Sequence, residues 1–149
     1  MSTTQGDLEP IRLITEEADL RGWVYTQGQR MTDILQGGEP FQFLQDDMTH
    51  WAEVFPDDTL LVVPPPHVSA PEQRQQRNRH RVRIGAGDYR VLGTAHLRPG
   101  EQDDPMLRAT RRFLPLTDAT FGRSDRPEET AEVVIVNLRR TSSFDVVQE

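Results

Sequence analysis

The feature that most constrains this chain of 149 residues is a pattern that occurs twice. Ile11-Arg12-Leu13 returns 71 residues later as Val82-Arg83-Ile84, Leu20 as Val91, Gly22 as Gly93 and Val24 as Ala95. The spacing then drifts to 72, where Leu35 meets Leu107 and Phe41-x-x-Leu44-x-Asp46 meets Phe113-x-x-Leu116-x-Asp118. At 73, Leu60-Leu61-Val62-Val63 meets Val133-Val134-Ile135-Val136. Offsets that grow by single residues at loop positions are what two copies of one unit show after small insertions, because turns absorb length changes and strands do not. A length near that of one ordinary domain excludes a large multidomain enzyme.

Within each unit the hydrophobic period is two. Leu20, Gly22 and Val24 alternate with Arg21, Trp23 and Tyr25, and Tyr89, Val91, Gly93, Ala95 and Leu97 alternate with polar neighbours. That is the signature of strands with one buried face. Between the second and third strands, residues 30–36 carry a short helical pattern that Thr32 or Asp33 is placed to cap and Gly37-Gly38 to end. The second unit places Asp103-Asp104-Pro105 before Met106-Leu107, where proline suits a first helical position. A strand over Phe41 to Trp51, or Phe113 to Phe121, then a polar loop and an apolar strand complete each unit. Those closing strands, Leu60 to Val63 and Val133 to Val136, are apolar on both faces, so the other copy or a second chain is expected to cover the second face.

Charge and proline content set the domain limits. Residues 1–63 carry a net charge of −9 and residues 64–149 one of +2; all 17 basic residues are arginine. Pro64-Pro65-Pro66 cannot donate ladder hydrogen bonds and reads as a polyproline-like connector. The expected organisation is a polar tail over 1–9, a first unit over 10–63, a Pro-rich then Arg-rich linker over 64–79, and a second unit over 80–147. With zero Cys, disulfides, thiolate zinc sites and cysteine nucleophiles drop out together. No apolar run approaches the roughly 20 residues of a membrane-spanning helix, so a cytoplasmic protein without a membrane partner is expected.

In the second unit, Gly93, the strand Leu116-x-Asp118-Ala119, and the closing run from Val134 through Asn137-Leu138-Arg139-Arg140 to Phe144-x-Val146 resemble the layout of small Sm-like, SH3-class barrels. In such barrels a glycine lets the second strand bend sharply. The resemblance implies a mainly β fold of two tandem small barrels, each with a short helical turn between strands two and three. Residues 10–63 and 80–147 are also similar to a family of short uncharacterised bacterial domains with the pattern Arg-Leu-Ser-Asp-x-Leu-Asn followed by Phe-x-x-Leu-x-Asp, which implies no known activity. In the first unit Pro64-Pro65-Pro66 stands where a fifth strand would begin. The residues that read RNA in Sm proteins are not reproduced, Asn137-Leu138-Arg139 standing in place of their Arg-Gly.

The chemistry-bearing residues do not converge. His50, His67, His80 and His96 share no metal-ligand spacing, no serine lies in a Gly-x-Ser-x-Gly elbow, and no phosphate loop is present. His67 and His80 fall in the connector and His96 on the outward face of a strand. Adjacent acids such as Glu16-Glu17 and Asp57-Asp58 point apart in strands and loops. Asp46 and Asp118 occupy the same point of the pattern and read as structural hydrogen bonds into a turn. Arg77-x-x-x-Arg81 begins a nucleotide-messenger motif of the PilZ type, but Asp88-x-Arg90-x-x-Gly93 does not complete it. No catalytic residue, metal site or cofactor is therefore expected. What remains is a surface: Arg21, Trp23 and Tyr25, outward if Leu20, Gly22 and Val24 point inward, have the composition of a binding hot spot unless the other unit covers them. The expected function is a non-catalytic interaction or regulatory module with a protein partner, self or other. The alternative is nucleic-acid or small-ligand binding by the stripe Arg74, Arg77, Arg79 and Arg81, running on to Arg83. Nucleic-acid binding there is expected to be weak against a net charge of −7.

Overall fold

The computed structural model describes residues 8–45, 49–65, 78–97 and 111–147. Arg74, Arg77, His67, Asp46 and the helical turn expected at 103–107 lie outside them. Among the described residues, five strands and one helix belong to the first half: β1 (Leu8–Thr15), β2 (Asp19–Tyr25), α1 (Met31–Gln36), β3 (Phe41–Gln45), β4 (Trp51–Val54) and β5 (Thr59–Val63). Five more described strands belong to the second: β6 (Asn78–Ala86), β7 (Tyr89–Leu97), β8 (Phe113–Arg123), β9 (Glu129–Asn137) and β10 (Thr141–Val146). A 3₁₀ turn precedes the last strand of each half, Pro56–Asp58 before β5 and Leu138–Arg140 before β10. The fold is mainly β, as the period-two patterning requires.

All ten strands join one antiparallel sheet in the order β10-β6-β7-β8-β9-β5-β1-β2-β3-β4. Each half contributes its strands in the order fifth, first, second, third, fourth, and the halves meet where β9 pairs β5. Register matches as closely as order does. Ile11 pairs Gly22 and Leu13 pairs Leu20; 71 residues on, Val82 pairs Gly93 and Ile84 pairs Val91. Val24 pairs Phe43 where Ala95 pairs Leu116, and Phe43 pairs Ala52 where Leu116 pairs Val134. Leu13 pairs Val62 where Ile84 pairs Phe144, and both ladders shift register just before the first residue of the last strand is reached, beside Thr59 and Thr141. Each of those threonines donates its hydroxyl to the carbonyl three residues earlier, Pro56 and Leu138.

Gly22 and Gly93 hold matching places for a steric reason. A Cβ on Gly22 would overlap the Leu44 carbonyl oxygen and come 2.6 Å from Phe43 Cζ, and one on Gly93 would come 2.8 Å from Leu116 Cβ. In both halves the third strand presses its inward side chain against the glycine, which lets the neighbouring strand pass close.

The core is double. One cluster gathers Val82, Ile84, Val91, Leu116, Phe121, Val134 and Val136 of the second half with Leu60, Leu61 and Ile14 of the first. The other gathers Ile11, Leu13, Val24, Met31, Leu35, Phe43 and Val62 of the first half with Phe113 and Ile135 of the second. Successive side chains of a strand face opposite ways, so Leu61 and Val62 on β5, and Val134, Ile135 and Val136 on β9, put the two cores on opposite faces of the central strand pair. This explains why these runs are apolar throughout.

Several expectations are corrected. In place of two barrels, the two halves are joined edge to edge in one open-ended sheet, with β4 and β10 at its ends. Val133–136 is not the counterpart of Leu60–63 but its hydrogen-bonded neighbour: Leu61 pairs Val136 and Val62 pairs Ile135. The 73-residue match joined two strands of similar composition and different place. By register Phe41, opposite Val54, corresponds to Leu114, opposite Val136, and not to Phe113. The first half's fifth strand is Thr59–Val63 itself, complete before the prolines, and Trp51–Val54 is a separate strand because the chain reverses after Gln45. The N-cap of α1 is Arg30 with no side-chain capping bond from Thr32 or Asp33, although Gly37 and Gly38 end the helix as expected. His80 lies on β6 and is half-buried.

Because each core contains side chains of both halves, the chain should unfold in a single transition. Leu61→Asp places a carboxylate in a fully buried position, so a loss of about 3–5 kcal/mol is expected, with both halves affected. Calorimetry checks this; two separable transitions would contradict the shared core.

Candidate interaction surface

On β2, Gly22 and Val24 are buried while Arg21 and Tyr25 are exposed and Trp23 is half-buried, so the three expected surface residues do share the outward face. The ladder extends that face. Trp23 lies opposite Leu44 on β3, and Leu44 lies opposite Trp51 on β4, so the two tryptophans flank one leucine on a single face. Leu44 is 5% exposed yet belongs to neither core. Tyr25 stacks on Trp51 with centroids 5.7 Å apart and planes 10° from parallel, and both rings remain open to solvent at 42% and 47% exposure. Phe55, just past β4, is 48% exposed. Reading Phe41 to Trp51 as one strand hid Trp51, since an unbroken period of two gives it the same face as buried Phe43; the reversal after Gln45 moves it to the other.

The other exposed stripe is split. Arg79 is exposed on β6, whereas Arg81 is half-buried and donates to Thr94 Oγ1 (3.1 Å) and to the Asp118 carbonyl (3.0 Å). Asp118 adopts a left-handed backbone, φ +48°, which aspartate tolerates better than most residues. Arg81 thus straps a bulge of β8. His96 Nε2 lies 2.9 Å from Thr117 Oγ1 on the same face. Among the described residues no group of three or more His, Asp or Glu side chains is placed to hold a metal ion.

Polar residues hold the two halves together around the β5–β9 pair. Arg12 on β1 forks to Asp19 Oδ1 and Oδ2 (2.8 and 2.6 Å) and to Glu129 Oε1 and Oε2 (2.8 Å each), and lies 5.3 Å from the centroid of the Phe121 ring. The hydrogen bond from Arg12 is the main reason that the Asp19 and Glu129 carboxyls are held below their ordinary 3.8 and 4.5. On the other side, Arg112 donates to Asp57 Oδ1 at 3.0 Å and holds that carboxyl low too, with Arg139 adding a contact at 3.5 Å. Beside Asp57, at the end of β9, sits Asn137, fully buried. Its amide donates to the Thr59 carbonyl at 2.8 Å, and its Oδ1 accepts from the Arg139 backbone N–H at 3.0 Å. One side chain therefore begins the second half's 3₁₀ turn and satisfies a carbonyl of the first half's last strand. In the sequence Asn137-Leu138-Arg139 shows only a departure from an Arg-Gly motif.

Comparison with known proteins finds no matching family model, curated protein or solved structure. No helix among the described residues is long and apolar enough to cross a membrane.

A carboxyl held low in the fold stabilises it at pH values above the unfolded pKa, and that contribution is lost as pH falls through the folded one. For Glu129, Asp19 and Asp57 the loss begins below about 4.5 and 3.8 and ends beneath the depressed values. The melting temperature should therefore fall below pH 4.5, and Arg12→Met should flatten the slope while costing about 1 kcal/mol at neutral pH, solvent screening of the half-exposed Glu129 keeping the effect modest. Thermal melts of both proteins from pH 7 to 3 measure this; parallel curves would remove Arg12 as the cause. Asn137→Ala should cost about 2–3 kcal/mol by leaving the Thr59 carbonyl unpaired in the core. A change below about 0.5 kcal/mol would rule out that role.

Proposed function

We propose that this protein is a non-catalytic interaction module that presents the aromatic surface Trp23, Tyr25 and Trp51, flanked by Arg21, to a protein partner. The observation that carries this reading is the Tyr25–Trp51 stack, two large rings held parallel yet nearly half exposed. Rigid aromatic side chains bury large area on binding at little cost in conformational entropy, and tryptophan, tyrosine and arginine are the residues that dominate contact energies. Their support is rigid: Trp23 and Trp51 stand on paired strands on either side of Leu44.

The same proposal takes the two halves to be copies of one SH3-class or Sm-like five-stranded unit, fused through the fourth strand of one and the fifth of the other. The shared strand order, matching ladder register, paired 3₁₀ turns and pressed glycines support this reading. Phosphate contact by Arg79 and Arg83, exposed on one face of β6, is the second reading; Arg81 being tied to Thr94 and Asp118 counts against it.

Tyr25→Ser removes the open ring without opening either core, so stability should stay within about 1 kcal/mol while bound proteins are lost. Affinity capture with the parent and the variant, each with and without nuclease, is the test. Proteins captured by the parent and lost with Tyr25→Ser support the reading. An unchanged set overturns it, and capture abolished by nuclease moves the phosphate-binding reading to first place.

A further inference from the structure

The strands that join the halves are the fourth of one and the fifth of the other, and the two ends of the sheet expose the remaining fourth and fifth strands, β4 and β10. Among the described residues each of these has a single hydrogen-bonded neighbour, β3 and β6. We propose that β4 of one molecule pairs with β10 of a second copy, antiparallel and in the register of the β5–β9 junction. This rests on reading the halves as copies of one unit, and it names the partner of the proposed interaction surface.

Register fixes the contacts. Inside the molecule Leu61 lies opposite Val136 and Val62 opposite Ile135. The ladders make Ser143 and Phe144 the counterparts of Leu61 and Val62, and Glu53 and Val54 the counterparts of Ile135 and Val136. Between copies Val54 therefore meets Ser143, Glu53 meets Phe144, Ala52 meets Asp145 and Trp51 meets Val146. The large exposed hydrophobic side chains of the described residues are Tyr25, Trp51, Phe55 and Val146. Trp51 and Val146 lie on the two free edges and fall opposite each other in this register, Tyr25 stacks on Trp51, and Phe55 comes directly after β4. Charge favours the same direction of addition: β4 ends the half of net charge −9, while β10 ends the half of net charge +2, with Arg79, Arg81 and Arg83 on the adjoining β6. Glu53 opposite Phe144 makes this edge contact weaker than the internal one, so association is reversible and depends on concentration.

Such a contact is heterologous: each copy offers one edge and accepts another, so growth passes beyond a dimer. Sedimentation of the full chain over a wide concentration range tests it. The parent should form species larger than a dimer at high concentration. Trp51→Glu and Val146→Glu should each sediment as monomers, and an equimolar mixture of the two should form a dimer, because one keeps β10 and the other keeps β4. Glu53→Ile, which installs the residue type of position 135, should lower the dissociation constant about tenfold. A parent and a Glu53→Ile variant that both stay monomeric throughout would overturn the proposal. So would self-association of Trp51→Glu alone, or a mixture of the two edge variants that stays monomeric. A monomer that still captures another protein through Tyr25 would sink this inference and leave the interaction-module reading standing. Self-association unaffected by Tyr25→Ser, with no other protein captured, would do the reverse.

Discussion

Pairing of β5 with β9 is the constraint on which the rest of the structure depends. Two residue pairs, Leu61 with Val136 and Val62 with Ile135, carry the sheet from one half to the other. Because a strand shows alternate side chains to opposite faces, this one ladder supplies Leu61, Val134 and Val136 to one core and Val62 and Ile135 to the other. Neither core closes without it. Over the paired residues the two strands consequently carry no polar side chain, and the next residue of β9, Asn137, caps the 3₁₀ turn Leu138–Arg140.

That junction also accounts for where charge is found. Arg12 carries two carboxylates at one rim of the shared strands, and Asp57 is held by Arg112 and Arg139 at another. Both sets join a first-half residue to a second-half one. Exposed ion pairs contribute little, and Glu129 and Asp57 are each close to half exposed, so their main effect is to fix register instead of adding much stability. Arg12, only 13% exposed and lying beside Phe121, is the member with a desolvated environment. The acidic first half and mildly basic second half thus reflect attraction between the halves as well as solvation.

How much of this was legible in the sequence depended on which contacts are local. β2 and β7, the matched glycines and the outward trio Arg21, Trp23 and Tyr25 follow from a period of two within one strand. Helix α1 was visible because its stop is written in two adjacent glycines. What failed needed partner information. Leu60–63 and Val133–136 look alike because both are buried on both faces, and burial pattern cannot distinguish a strand from the neighbour it pairs with. Trp51 was misplaced because the sequence from Phe41 to Trp51, apolar at both ends, reads as one strand although its residues 46–50 are mostly polar. Asn137 gave no signal, since a buried amide is recognised only by the carbonyls it meets.

Three of the positions that correspond by register differ in polarity according to whether their edge is used inside the molecule, Leu61 against Ser143, Val63 against Asp145 and Ile135 against Glu53, while Val62 against Phe144 and Val136 against Val54 stay apolar. The backbone task is the same in each case, an antiparallel strand with a bulge at its start or a turn at its end, so backbone geometry does not account for the difference. Burial does. An edge that will be covered permanently by its own chain accepts branched side chains on both faces, whereas an edge open to water must limit uncontrolled pairing, and a carboxylate or serine on a short strand does so. Trp51 and Val146, beside those polar positions, distinguish the two edges from edges that are merely blunted, since a solvated edge gains nothing from a tryptophan 47% exposed.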